Sequence, residues 1–279
     1  MGKTIRDIWT RREIVRHFVS MLLTTSYRTK TFGFLWALLD PLLFMCVYYL
    51  VFGYLIRHRP LPFILHIYVG VIAFRFLNTA SAQSSGMLRG QSGLIREIAF
   101  PKAALPVSVM VARLFDLAAG WAMAVLIGCA FQIYPNGYWL LIPVVMVIQV
   151  LFVTGVCLIT AYVGVFFADI QNILDVGLRL WFYLSPVLYT LSDIRDTTTD
   201  YVYQIYLLNP MTSIVEMYQA LVMGDLVSKG VGEAAVTVVT GSHLPDWHFV
   251  VRAAVAAVVT FVIGLRVFAR GEGQIAKYV

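Results

Sequence analysis

Residues 93–131 read GLIREIAFPKAALPVSVMVARLFDLAAGWAMAVLIGCAF. The stretch opens on an island carrying Arg96, Glu97 and Lys102, and from about residue 105 it is apolar apart from Arg113 and Asp116. At ~1.5 Å rise per residue, such a run covers the ~30 Å hydrocarbon core of a bilayer. A charged island fused to a crossing helix makes the island a loop held at a membrane face.

The rest of the chain agrees. It has 279 residues, of which 60% are hydrophobic and 13% charged, too apolar a surface to shelter from water in a soluble domain. The class is an all-α integral membrane protein. The net charge of +6 informs through its distribution rather than its sum, and points to membrane lipids rather than nucleic acid. Cys46, Cys129 and Cys157 lie inside apolar runs without CxxC spacing, which predicts free, buried thiols. The first thirty residues are charged throughout and lack the order of a cleaved signal peptide, so insertion is expected to rest on internal spans.

Toward the N-terminus, residues 5–23 place Ile5, Ile8, Trp9, Val15, Val19 and Leu22 at helical spacing, with Lys3, Arg6, Arg11, Arg12 and Arg16 between them. This is an amphipathic interface helix, too charged to span. A first span follows over residues 35–56, with Asp40-Pro41 near its start, where a proline is tolerated, and Tyr48, Tyr49 and Phe52 further on. A second runs from 61 to 87, holding Arg75 and turning polar over Asn78–Ser85, a composition that favours helix contacts or an aqueous path.

Beyond the third span, a fourth covers about 139–167 and a fifth continues to about 191. The fifth carries Asp175, Arg179, Trp181, Tyr183 and a Ser185-Pro186 pair that should kink or end the helix. Residues 192–246 are polar, with two apolar pieces too short to cross, read as re-entrant or interfacial helices. A last span over 247–268 leads to a short tail. The domain division is therefore an N-terminal region 1–34, a transmembrane unit 35–269 containing the island 94–104 and the outer region 192–246, and a tail 270–279.

Six crossings put both termini on one side. That side holds twelve cations (Lys3, Arg6, Arg11, Arg12, Arg16, Arg28, Lys30, Arg89, Arg96, Lys102, Arg270, Lys277) against four opposite (Arg57, Arg59, Arg195, Lys229). The positive-inside rule then predicts a multi-pass protein of the inner or plasma membrane, with termini and island in the cytoplasm. Within the membrane Arg75, Arg113 and Asp116 call for partners. Asp116 pairs either with Arg75 across helices or with Arg113 three residues away.

Catalytic signatures are missing from the sequence. There is no GxxxxGK[ST] phosphate loop, no HExxH, no GxSxG and no clustered Cys/His spacing. No cofactor or metal is expected on this chain, and ATP hydrolysis by it is not expected either. Aromatic side chains at membrane depth, Tyr48, Tyr49 and Phe52 on the first span and Trp181 and Tyr183 on the fifth, suit a path along which sugar rings slide. Interface belts and ordinary packing collect the same residue types.

Five runs in order resemble the membrane subunit of ABC-2-type exporters, in the polysaccharide, teichoic-acid and O-antigen branch. They are residues 27–41 (YRTKTFGFLWALLDP), 94–102 (LIREIAFPK), 166–170 (FFADI), 185–189 (SPVLY) and 208–212 (LNPMT). The resemblance implies the ABC-2 exporter fold and a homodimer working with two copies of a cytoplasmic ABC ATPase on a lipid-linked glycan. It also implies coupling to that ATPase through Leu94, Arg96, Glu97, Phe100, Pro101 and Lys102, a gate for lipid pyrophosphate at Arg28 and Lys30, and helices around Asn209-Pro210 that close the exit. Ala168 stands where a basic residue is expected, and 224–246 is longer than expected. A permease for a small lipid or drug, a membrane transferase and an envelope scaffold are the alternatives; the transferase lacks the clustered acidic or histidine residues it would need.

Overall fold

The computed structural model describes residues 10–28, 31–56, 58–97, 100–167, 169–224, 226–229, 236–239 and 241–278. Helix α1 is Arg12–Arg28, α2 Leu35–Tyr48 with a π-helical continuation Tyr49–Ile56, α3 Phe63–Gly90, α4 Ser92–Glu97 and α5 Ala104–Ala130. A 3-10 turn, Gly137–Leu141, leads into α6, Ile142–Phe166. Then come α7 Ile170–Tyr183, α8 Leu191–Thr197, α9 Asp200–Tyr206, α10 Pro210–Val222, strands β1 Leu226–Lys229 and β2 Val236–Val239, and α11 Trp247–Tyr278.

Among the described residues five helical stretches are long and apolar enough to cross a membrane: Leu35–Ile56, Phe63–Gly90, Ala104–Ala130, Gly137–Phe166 and Trp247–Ile275. The fifth expected span is a broken helix, interrupted where its Ser185-Pro186 pair predicts. α7 has 14 residues, short of the ~20 needed, and stops just before Ser185-Pro186 because proline removes a donor and clashes with the preceding turn. The chain still runs the length of α3. Gln171 lies beside Gly86, while the Tyr189 carbonyl is 3.3 Å from His66 Nε2, about 30 Å away along α3 at helical rise.

α3 is the axis of the bundle. Of its most apolar window 78% is buried, against 17% for α2 and 22% for α11, so α2 and α11 form the rim. The main core gathers Phe63, Tyr68, Phe74 and Leu77 of α3 with Leu117 and Trp121 of α5, Phe152 of α6, and Met211 and Tyr218 of α10. A second core, nearer the island, joins Phe18 and Leu22 of α1 to Leu88, Leu105, Leu158 and Phe268. The amphipathic helix expected at the N-terminus is therefore docked on protein through Phe18, Val19 and Leu22. Its residues before Thr10 lie outside the described set.

Backbones of α6 and α11 meet closely. A Cβ on Gly155 would stand 2.6 Å from the Thr260 carbonyl oxygen, and one on Gly264 2.5 Å from that of Gly155. Small residues at such a crossing let two apolar helices gain dispersion contact where no hydrophobic drive acts between them.

Several expectations need correction. Pro41 is not in the first turn: α2 starts at Leu35, so Pro41 is interior and deprives the Ala37 carbonyl of its donor. The outer region is not wholly helical, since β1 and β2 form an antiparallel ribbon with Leu226 opposite Val239; Val and Thr favour that pleated geometry. Among the cysteines only Cys157 is buried, and Cys46 and Cys129 sit on the outside of the bundle.

Of the short helices, α10 enters the bundle rather than resting on it. Pro210 occupies its first turn, where the missing donor is harmless. The Tyr218 hydroxyl donates to Gln149 Oε1 at 2.8 Å, and Gln149 Nε2 donates to the Ala73 carbonyl at 2.8 Å. α9 has no buried residue.

Candidate functional site

Three places answer to the residues singled out in the sequence. The largest is a cleft of about 700 Å³ between α2, α3 and α7. Phe44 and Tyr48 form one wall, Phe182 and Tyr183 another, and Arg75, Asn78, Asp175 and Arg179 supply polar groups. Tyr48 packs on Phe44 with ring centroids 5.9 Å apart and on Phe182 at 5.5 Å, and Phe182 meets Phe74 edge-on at 5.4 Å. Leu43, Val47, Ile173, Val176 and Leu180 on the same two helices are all more than half exposed, so the cleft opens between wide apolar faces.

Of the five aromatic residues expected on a path, Tyr48 and Tyr183 line this cleft. Phe52 stands behind Tyr48, 6.4 Å away, and the Tyr49 hydroxyl donates to the Arg59 carbonyl at 3.3 Å. Trp181 does not line it. Its indole N–H donates to Asn209 Oδ1 at 2.8 Å, and the ring packs edge-on against Phe74 and Phe152. Asn209 Oδ1 also caps α10 through Met211 N at 3.0 Å, and its Nδ2 donates to Ser185 Oγ at 2.9 Å. Two motifs noted separately in the sequence, Ser185-Pro186 and Asn209-Pro210, are thus one joint with Trp181 as its pin.

The second place is a polar cluster with a cavity of about 190 Å³, lined by Ser26, Tyr27, Asp40, Arg75, Arg113 and Asp116 among others. Of the two pairings left open for Asp116, the structure has the one along α5: Arg113 Nη1 lies 2.7 Å from Asp116 Oδ2. Arg113 also donates to Gln83 Oε1 at 2.9 Å and Ser26 Oγ at 2.7 Å, and the Tyr27 hydroxyl donates to Asp116. Arg75 pairs with Asp40 instead, at 2.7 Å, so no Arg75–Asp116 bridge forms. Arg75 lines both the cleft and this cavity. Arg28, at the exposed end of α1, is one turn beyond the cluster's Thr25; Lys30 lies outside the described residues.

The third place is the island. Ile95 is buried, Leu94 and Phe100 pack on the second core, and Phe100 lies 6.1 Å from Phe18. Lys102 is engaged within the chain: its backbone N–H donates to Glu272 Oε1 and its Nζ to the Glu272 carbonyl, both at 3.0 Å. Arg89 donates to the Val165 carbonyl at 3.0 Å, closing the end of α6. Pro101 is half-buried. The side chains of Arg96 and Glu97, and Ala168, lie outside the described residues.

Residue reasoning passed over Asp40 as a partner and gave Asp175 and Arg179 no role. Their spacing was the available signal: 175, 179, 182 and 183 fall on one helical face, two polar groups followed by two aromatic ones. Among the described residues no group of His, Cys, Asp or Glu is arranged to hold a metal ion.

Comparison with known proteins bears on this geometry. The family model described as ABC-2 type transporter matches residues 16–223. The chain belongs to the ABC-2 type transporter family. It is 32% identical over 221 residues to the O-antigen export system permease protein RfbA of Myxococcus xanthus, covering 79% of this chain and 84% of that one. A Klebsiella pneumoniae protein of the same name is 27% identical over 210 residues, 74% and 78% of the two chains. The polysialic acid transport protein KpsM of Escherichia coli is 25% identical over 232 residues, 78% and 86%. As an ABC-2 family member the chain is a multi-pass transport subunit, with ATP hydrolysis on a separate partner.

Proposed function

We propose that this chain is the permease half of an ATP-driven exporter moving a lipid-linked polysaccharide from the cytoplasmic leaflet across the inner or plasma membrane. Two copies work with two copies of a cytoplasmic ABC ATPase, which holds ATP and Mg. Termini and island face the cytoplasm, on the strength of the cation count. The cleft is the observation that carries the reading. Ring faces of Tyr48 and Tyr183 offer contact to sugar C–H surfaces, while Asp175, Arg179 and Asn78 exchange hydrogen bonds with hydroxyls. Relatives named for O-antigen export and polysialic acid transport support the same substrate class. In this scheme Leu94, Arg96, Glu97, Phe100 and Pro101 meet the ATPase, and Arg28 and Lys30 attract the lipid pyrophosphate.

Deleting the gene tests the proposal. Surface glycan should disappear and lipid-linked glycan should accumulate inside, with wild-type chain restoring export and a Tyr48→Ala, Tyr183→Ala double variant restoring less than a tenth of it. Affinity capture of the tagged chain should bring down one ABC ATPase. Normal surface glycan in the deletion strain, or capture without an ATPase, overturns it.

A further inference from the structure

α11 carries one face that the rest of the described chain leaves largely uncovered. Arg252, Val255, Val259, Ile263, Arg266 and Arg270 follow one another at steps of three and four, which aligns them along one side of the helix. Val255 is 56% exposed, Val259 49% and Ile263 47%, and Arg266 and Arg270 are exposed as well. Trp247, itself exposed, opens the helix, and Arg266 lies about 28 Å from it along the axis at helical rise. That separation matches the ~30 Å hydrocarbon core. The tryptophan therefore belongs to one membrane interface and the two guanidiniums to the other.

Charge decides what covers this face. Arg266 and Arg270 are one turn apart, and among the described residues neither has an ion-pair partner. Glu272 projects from the side of the helix opposite Arg270 and accepts the Lys102 N–H, while Asp40 and Asp116 are taken by Arg75 and Arg113. Two adjacent guanidiniums at the edge of a low-dielectric slab call for an anion. A second copy of the chain does not provide it, because both copies sit the same way up and a two-fold contact through this face sets arginine against arginine at one depth. A zwitterionic headgroup brings an ammonium for which the pair offers no carboxylate. The lipid-linked substrate is directed elsewhere, since α11 packs on α6 and α10 and the cleft lies between α2, α3 and α7. We infer that this face binds an anionic glycerophospholipid of the surrounding bilayer, its phosphate shared by Arg266 and Arg270 and an acyl chain laid along Ile263, Val259 and Val255. The helix so held is the one fastened to the island through Glu272 and Lys102.

The test takes the full chain with its captured ATPase in detergent and measures retained lipid by native mass spectrometry after addition of dioleoyl phosphatidylglycerol, dioleoyl phosphatidylcholine or a polyprenyl phosphate. Phosphatidylglycerol should be retained about tenfold better than phosphatidylcholine and should fall about tenfold in an Arg266→Gln, Arg270→Gln double variant. It should stay within about twofold in Arg252→Gln, which removes a guanidinium from the same face at its other end. In an otherwise unchanged chain in cell membranes, benzoylphenylalanine in place of Ile263 should couple to lipid on irradiation, a readout that leaves both arginines intact. Equal retention of the two glycerophospholipids, retention unchanged in the double variant, or an equal fall in Arg252→Gln each overturns the assignment. So does preferential retention of the polyprenyl phosphate, or coupling of position 263 to a second copy of the chain or to another protein. None of these outcomes depends on which substrate is exported.

Discussion

Two ion pairs of equal length have different weights. Arg113 and Asp116 have side chains 11% and 16% exposed, whereas Arg75 and Asp40 are 28% and 41% exposed. Removing one member of an enclosed pair strands a charge, at a cost of roughly 3–5 kcal/mol, while substituting both with apolar groups recovers most of the loss. Asp116→Ala should therefore lower the unfolding midpoint of the purified chain strongly, and Arg113→Met with Asp116→Leu should restore much of it. Asp40→Ala is expected to cost about 0–1 kcal/mol and to reduce export instead, because it frees the guanidinium shared by the cleft and the polar cavity. The sequence made the presence of partners legible and their identity only partly so. Arg113–Asp116 is set by helical spacing, but Arg75–Asp40 depends on how α2 is laid against α3, which no local pattern encodes.

At the level of elements, the joint and the clip carry the clearest expectations. Trp181→Phe removes one indole donor and leaves Asn209 Oδ1 with Met211 alone, which should cost about 1 kcal/mol. Thermal unfolding in detergent checks this, with ATPase capture intact. At the clip, Glu272→Gln retains an acceptor oxygen for the Lys102 N–H and should export normally, while Glu272→Ala should lower export with ATP hydrolysis continuing. Equal export from both variants would show the bond to be idle. Charge reversal of Lys102 consequently disturbs the chain's own packing before any partner surface. In the fifth apolar run hydropathy alone counts a full crossing, and it is the Ser185-Pro186 pair, legible as a kink or stop, that marks where the 14-residue helix ends. The β1–β2 ribbon escaped, lying within a polar stretch read for its short apolar pieces.

Across the whole molecule, the all-helical membrane class and the amphipathic N-terminal helix followed from hydropathy and length, whereas the packing of that helix onto protein through Phe18, Val19 and Leu22 did not. The cleft did not, since it exists only where three helices from separate parts of the chain turn Tyr48, Arg75 and Arg179 toward one space. One long helix joins the two ends. α11 has 32 residues, about 48 Å at helical rise, and exceeds the hydrocarbon thickness by more than a third. Its far end begins beside Asp246 and carries Phe249, both walls of a cavity of about 280 Å³, and near its other end Glu272 is fastened to Lys102. α11 is thus an unbroken strut fastened to the island near one end and lining a cavity at the other. Because a helix resists compression, any displacement imposed at Lys102 is carried to the far cavity as tilt or twist of that strut about its glycine bearing on α6.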